Sequence, residues 1–361
     1  MQVFYTDVEQ GYAPTHSFFY GRFTAYPDVP GRTRSILAAL GGRAEFALQA
    51  PPEPEAAWLE RAHAPEYLAA LAAVCGRLKP GEEFSPFHMG PLPALLRSPY
   101  PRLRAGYYAL DGSTPLLAQS YAVAAAVAGT ALAGARAVLA GAPRVYALPR
   151  PPGHHAGRQT YCGYCLINNA AVAAHALLER GKVAILDVDY HHGNGTQDIF
   201  WERDDVLYAS LHCRPEEAYP YVAGGADERG GGRGRGCNLN LPLPGGTDWA
   251  AYAPALETAL EAVARFDPAA VIVSLGFDAL ATDPIGTFAL QVADFEAMAR
   301  RIAQLQRSLL IVQEGGYDVA RLGECALAFF AGLGVSRAAG AGAGSGQAGR
   351  VARGRRETSH G

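Results

Sequence analysis

No apolar run in this 361-residue sequence approaches the roughly 18 residues that a membrane-spanning helix needs, so a transmembrane protein is not expected. The chain opens Met-Gln-Val-Phe-Tyr with no basic stretch ahead of an apolar one; no secretory signal is read, and the expected location is the cytoplasm. Charge of one sign is also scarce. Thirty-one Lys and Arg face 34 Asp and Glu, a formal net charge of -3, which argues against a nucleic-acid binder. Six cysteines are too few to frame a chain this long with disulfides, and in a reducing compartment they read as small buried apolar residues. Apolar residues, by contrast, make up 49% of the sequence and charged ones 18%. A chain with about 300 ordered residues buries roughly 75% of the surface its unfolded form exposes. Such a core needs no structural metal, so a metal in this protein should serve function.

Two organisational features follow. From Gly334 the sequence turns to Ala, Gly and Ser and then to an arginine cluster at Arg350, Arg353, Arg355 and Arg356. Residues 336–361 have almost no large apolar side chains and are expected to be a disordered basic tail behind a single domain over residues 1–335. The domain alternates short β-rich runs with helical patterns, the mark of a parallel sheet covered by helices on both faces. Strands are expected at Val183–Asp189, Val206–His212, Val271–Leu275 and Leu309–Gln313, each continuously apolar as a strand covered on both sides must be. Helices are expected around Tyr121–Ala140, Asn169–Arg180, Ala250–Arg265 and Asp294–Gln306, and long irregular loops at Lys79–Pro101 and Arg22–Gly31.

Chemistry gathers where strands end, which is where open α/β sheets bind ligands. The first strand runs into Asp187-Val188-Asp189-Tyr190-His191-His192-Gly193-Asn194. Alternation places Asp187, Asp189 and His191 on one side if the extended conformation persists. Another strand ends at Gly276-Phe277-Asp278 and offers a third ligand. Asp, His and Asp plus a water satisfy the open three-ligand site of catalytic zinc. The competing reading is structural: the aspartates cap a helix and the histidines fill a polar turn. Upstream, His154 and His155 follow the rigid turn Pro151-Pro152-Gly153 and suit acid/base work near neutral pH. Tyr317, after Gly315-Gly316, offers a phenol for a developing oxyanion, although a lone tyrosine more often packs in a core or lies on the surface.

These stretches together resemble the histone deacetylase superfamily, and within it the bacterial acetylpolyamine amidohydrolases. The matching pieces are RPPGHHA at 150–156, GYCLINNAAVAA at 163–174, ILDVDYHHGNGTQDIF at 185–200, ASLH at 209–212, VSLGFD at 273–278 and EGGY at 314–317, in the family's order. The resemblance implies the arginase/deacetylase α/β fold, with a mostly parallel central sheet and the active site at the C-terminal strand ends. It implies one Zn2+, with Fe2+ or Co2+ as substitutes, held by Asp189, His191 and Asp278. His154 and His155 would be the acid/base pair, His155 the proton shuttle, and Tyr317 the oxyanion donor. Asp187 would accept from His154, and Asn194, where many relatives carry a carboxylate, would orient a less basic His155. A structural K+ is implied at Asp187, Asp189, His191, Ser210 and Leu211, and a substrate channel walled by Tyr164, Cys165, Tyr219 and Ile285. It further implies a homodimer built through the long loop around residues 79–101.

The function expected is removal of acetyl groups from amines, with acetylated polyamines or similar small cationic amines as substrates. Protein acetyl-lysine is the alternative substrate, and a non-catalytic acyl-binding or scaffold protein the alternative class. A binuclear manganese hydrolase on the same fold would need a carboxylate two residues beyond Asp278, where Leu280 stands. The position where that subgroup carries a rim acid falls at or near Phe18; Glu82, Glu83 and Asp111 are the candidate replacements. Cys162-x-x-Cys165 lacks a second such pair for a zinc site, and Gly230–Gly236 lacks the Lys-Ser/Thr of a phosphate loop and is expected at the channel mouth.

Overall fold

In the computed structural model, which describes residues 1–335 apart from 20, 53, 87 and 88, ten strands form two sheets. In chain order they are β1 (Gln2–Phe4), β2 (His16–Phe19), β3 (Arg22–Ala25), β4 (Ala47–Gln49), β5 (Arg144–Ala147), β6 (Val183–Asp187), β7 (Val206–Cys213), β8 (Asn238–Leu243), β9 (Ala270–Leu275) and β10 (Ser308–Gln313). Eight of them make one sheet in the order β4-β1-β5-β10-β9-β6-β7-β8, and each of its pairings is parallel. β2 and β3 form a separate antiparallel hairpin. The expected tail, residues 336–361, lies outside the described residues.

The sheet is buried on both faces, and the period of two sorts its side chains between two cores. Val145, Ile185, Ile272 and Leu310 point to the face covered by the helices Ser120–Leu139, Asn169–Leu177 and Pro65–Cys75. Tyr146, Leu186, Val273 and Ile311 point to the other, covered by Gly31–Leu40, Trp249–Phe266, Val292–Ile302 and Leu322–Gly332. Ser120–Leu139 is long and apolar enough to cross a membrane, yet 67% of its apolar window is buried against the sheet, which accounts for its hydropathy.

Four expectations need correction. Strand β6 stops at Asp187 rather than Asp189, because the Asp187 carboxylate turns back to accept from the Asp189 N–H (3.2 Å) and diverts the chain out of the ladder. Arg22–Gly31 is not all loop: residues 22–25 pair with 16–19. Within Lys79–Pro101 a short helix forms at Pro93–Leu96, its proline at the first turn where no N–H is needed. Gly230–Gly236 packs on Trp201, with the Gly231 N–H donating to its carbonyl (2.8 Å), and does not border the cavity described below.

A buried histidine gives the fold a pH dependence. His63 is fully buried; its Nδ1–H donates to the Gly157 carbonyl (2.9 Å) and its Nε2 accepts from the Asn168 N–H (2.9 Å), so a second ring proton would meet a donor. Burial pushes its pKa down from 6.5 to about 4. Between those values the unfolded chain binds a proton that the folded protein refuses. The contribution is therefore complete above pH 6.5 and is lost as pH falls toward 4, up to about 3 kcal/mol from this side chain. Burial pushes His175 and His212 down to about 4 as well. The loss of stability between pH 7.5 and 4.5, followed as the urea midpoint, should be smaller in His63→Gln than in the wild type; an unchanged slope in the variant would refute the assignment.

Candidate active site

Four adjacent central strands, β5, β10, β9 and β6, deliver their C-terminal turns to one place. β5 leads to His154 and His155, β6 to Asp189 and His191, β9 to Asp278, and β10 to Glu314 and Tyr317. Ligand atoms of Asp189, His191 and Asp278 all lie within 4.8 Å of one another, and all three residues are buried. His191 Nδ1 stands 3.0 Å from Asp278 Oδ2 and 3.4 Å from Asp189 Oδ1. Asp187, expected on the same side, is turned away from this trio. It receives the His154 ring Nδ1–H (3.2 Å) and the Tyr208 hydroxyl (2.9 Å).

The trio fits a divalent cation. Burial and the Asp189 charge push the Asp278 carboxyl up to about 7 against the pull of His191, the repulsion that a dication between them relieves. The backbone has been cleared to let the carboxylates approach. A side chain at Gly276 would collide with Asp189, and one at Gly315 with Asp278 and, at 2.6 Å, with Asp189 Oδ2. The Gly315 N–H uses that proximity to donate to Asp189 Oδ2 (2.7 Å). Leu280 is buried, and among the described residues no other His, Cys, Asp or Glu group has this geometry, so nothing here favours a second metal.

His154 and His155 sit behind the trio with different electrostatics. Burial opposes charge on His154, but Asp189 and Asp187 outweigh it and raise its pKa to about 10. His155 is held well below 6.5 by burial and by the neighbouring His154 and His191. Its Nδ1–H donates to Asn194 Oδ1 (2.8 Å), which leaves Nε2 as the free base. One imidazole is thus set to carry charge and the other to stay neutral.

A cavity of about 670 Å3 opens over these groups, within the usual range for small ligands. His155, His191 and Tyr317 line it together with Tyr164, Tyr219, Tyr190 and Ile285. Tyr164 adopts φ +68°, a costly conformation for a side chain with a Cβ, and so enters the cavity beside Tyr317, ring centroids 5.9 Å apart. Cys165 is not a channel residue. The turn Cys162–Cys165 projects Gly163 and Tyr164 outward and sends Cys165 into the interior, fully buried, its thiol donating to the Gly163 carbonyl (3.3 Å). None of the acids considered for the rim borders the cavity. Asp111 accepts the Tyr219 hydroxyl (2.7 Å), Glu83 the Thr15 N–H (2.7 Å), and Glu82 pairs with Arg102 (2.6 Å). Phe18 lies outside it and Phe19 inside.

Several positioning groups were not legible in the sequence. Glu314, fully buried, accepts from the N–H groups of Gly153 (2.7 Å) and His154 (3.1 Å), clamping the histidine turn to β10. Asp283 accepts from the N–H of Ile285 (3.0 Å), Gly286 (3.3 Å), Tyr317 (2.6 Å) and Asp318 (3.2 Å), tying one cavity wall to the tyrosine turn. Arg32 donates to the carbonyls of Glu314 and Gly316 and lays its guanidinium 4.7 Å from the Tyr317 ring centroid. Arg150 is fully buried and pairs with Glu9 and Asp28, fixing the N-terminal segments around the site. The partners named for Glu314, Arg32 and Arg150 lie more than a hundred residues away, and the Tyr317 turn lies 34 residues from Asp283, beyond the reach of any local pattern.

Residues 26–333 match the family model described as the histone deacetylase domain. The chain belongs to the histone deacetylase family. Membership makes it a deacetylase-type hydrolase of linear amide bonds. A relative from Burkholderia pseudomallei, an acetylpolyamine amidohydrolase, is 40% identical over 330 residues, 90% of this chain and 96% of its own. Acetylpolyamine amidohydrolase 1 of Pseudomonas aeruginosa is 47% identical over 236 residues, 65% of this chain and 67% of its own. The crystal structure of an acetylpolyamine aminohydrolase from Burkholderia pseudomallei superposes with a TM-score of 0.89 at 38% identity, covering 92% of this chain and 98% of that one. The mostly parallel sheet with helices on both faces is therefore this family's fold.

Proposed function

We propose that this histone deacetylase-family chain is a zinc-dependent deacetylase of small acetylated amines, of which acetylpolyamines are the class named for its relatives. The observation that carries the reading is the convergence of Asp189, His191, Asp278, His155 and Tyr317 at the base of one aromatic-walled cavity. The intact set speaks against a silent scaffold. Asp189, His191 and Asp278 would hold Zn2+, with Fe2+ or Co2+ as substitutes, and that ion would supply Lewis-acid polarisation and acidify a water.

The protein's own groups do the rest. Neutral His155, its tautomer set by Asn194, accepts the proton of the attacking water at Nε2 and returns one to the departing amine. His154, charged against Asp187, keeps the local field positive where negative charge develops. Tyr317, its phenol kept protonated by burial despite Arg32, donates a hydrogen bond to the oxygen of the tetrahedral species. Tyr164, Tyr219 and Ile285 enclose the acyl-bearing chain and exclude water.

The proposal includes a cytoplasmic location and a structural K+ at Asp187, Asp189, His191, Ser210 and Leu211; Asp187 and Ser210 are register partners on β6 and β7. It also includes a homodimer through residues 79–101, supported by the exposed side chains of Leu92, Leu96, Tyr100 and the adjoining Leu103. Turnover of N-acetylputrescine, acetylspermidine and an acetyl-lysine peptide by the zinc-loaded enzyme tests the substrate class. The small amines should be preferred, and exhaustive chelation should abolish turnover until zinc is restored. A preference for the peptide overturns the small-amine reading; full activity after chelation overturns the metal.

A further inference from the structure

Beyond the aromatic walls, the mouth of the cavity carries two charged side chains of opposite sign. Arg22, on β3 of the separate hairpin, and Glu217, after β7, both line it, and among the described residues no other Lys, Arg, Asp or Glu does. The Arg22 side chain is exposed and makes no ion pair among the described residues. Glu217 is fixed as an anion. Arg214 donates to its Oε1 (2.6 Å from Nε) and the Gly245 N–H to its Oε2 (2.6 Å), and these bonds hold its carboxyl below the usual range. Oε1 is taken up by the Nε and Nη2 of Arg214, while Oε2, bonded to the Gly245 N–H, retains one further acceptor position. A rim built for a polycation would present anions alone, because a second or third ammonium group threading past Arg22 meets a like charge.

We propose that the substrate is an ω-N-acetylated α-amino acid of the Nε-acetyl-lysine type, its α-carboxylate received by Arg22 and its α-ammonium by Glu217. The inference rests on the deacetylase reading above and specifies which small amine that site takes. A guanidinium presents paired N–H donors that match a carboxylate, whereas Glu217 offers acceptors only, so the dipolar head group has one orientation at the mouth. The acetyl-bearing side chain then extends inward between Tyr164 and Tyr219 toward Tyr317 and His155.

Three substrates separate the terms. N-acetylcadaverine is Nε-acetyl-lysine without the carboxylate, and Nε-acetyl-lysinamide carries a neutral amide in its place. With the zinc-loaded full-length enzyme, kcat/KM for free Nε-acetyl-L-lysine should exceed that for either analogue by about tenfold, the scale of one charge-assisted hydrogen bond. The difference should reside in KM and shrink as salt rises. Arg22→Ala should erase the preference and Arg22→Glu should reverse it in favour of N-acetylcadaverine, while both variants keep the wild-type circular dichroism spectrum. Equal or faster turnover of N-acetylcadaverine by the wild type, or a ratio indifferent to Arg22, overturns the head-group assignment and leaves the deacetylase reading intact. Failure to hydrolyse these and every other acetylated amine overturns the deacetylase reading and this assignment with it.

Discussion

Tyr317→Phe is expected to lower kcat by roughly 10²–10³-fold, the usual cost of losing one oxyanion donor, while KM changes little. The phenyl ring fills the same volume, and its surroundings do not depend on the hydroxyl. Arg32 lies over the ring, Asp283 holds the backbone N–H, and Tyr164 packs against its edge. The substitution therefore removes a hydrogen bond without opening a cavity. Charge on the acyl oxygen develops only as water adds, so the loss falls on the transition state rather than on binding. Steady-state kinetics on the zinc-loaded variant, with zinc content measured alongside, decide the matter. A wild-type kcat with stoichiometric zinc would remove Tyr317 from the chemistry.

His155→Ala should cost about 10²–10⁴-fold in kcat, the range for a positioned general base. The pH profile makes the assignment specific. Because burial, His154 and His191 hold His155 well below 6.5, its neutral form persists into mildly acidic solution, and kcat/KM should fall only below that pH. Asn194→Asp places a carboxylate at the atom that Nδ1–H contacts, favours the imidazolium, and should move the acidic limb upward by about one unit or more. Activity would then be lost at higher pH than in the wild type. A limb that stays in place in Asn194→Asp, or that survives in His155→Ala, would assign the titration to another group. Asn194 is not one of the trio and reaches the cavity only through His155, so a displaced limb with unchanged zinc content cannot be a metal-binding effect.

The central strands were legible because double-sided burial leaves continuous apolar runs, as in Val183–Asp187 and Val271–Leu275. The shorter strands β1 and β4, three residues each, carry no such signal and exist because β5 and β1 offer them an edge. Asp187 shows the limit of alternation. It shares a parity with Asp189 but not a side, since the strand ends between them when the Asp187 carboxylate captures the next turn. Cys165 shows a second limit. Its place in a cavity-forming turn was evident, yet the left-handed backbone of the preceding tyrosine reverses which side chains face inward.

The sequence alone supplied the candidate residues at the strand ends and, through the family resemblance that their motifs carry, the deacetylase class of reaction. Selection among amines belonged to the tertiary structure. Whether a charged side chain reaches the mouth depends on how a hairpin near the N-terminus folds over turns nearly 200 residues away, and on which carboxylates are already occupied by local donors. Asp111, Glu82 and Glu83 are engaged away from the cavity, while Arg22 and Glu217, the latter paired with Arg214, line it. Strand-end ligands are positioned by local backbone geometry, which neighbouring residues specify; the charge of a rim is a sum over distant segments, which only packing brings together.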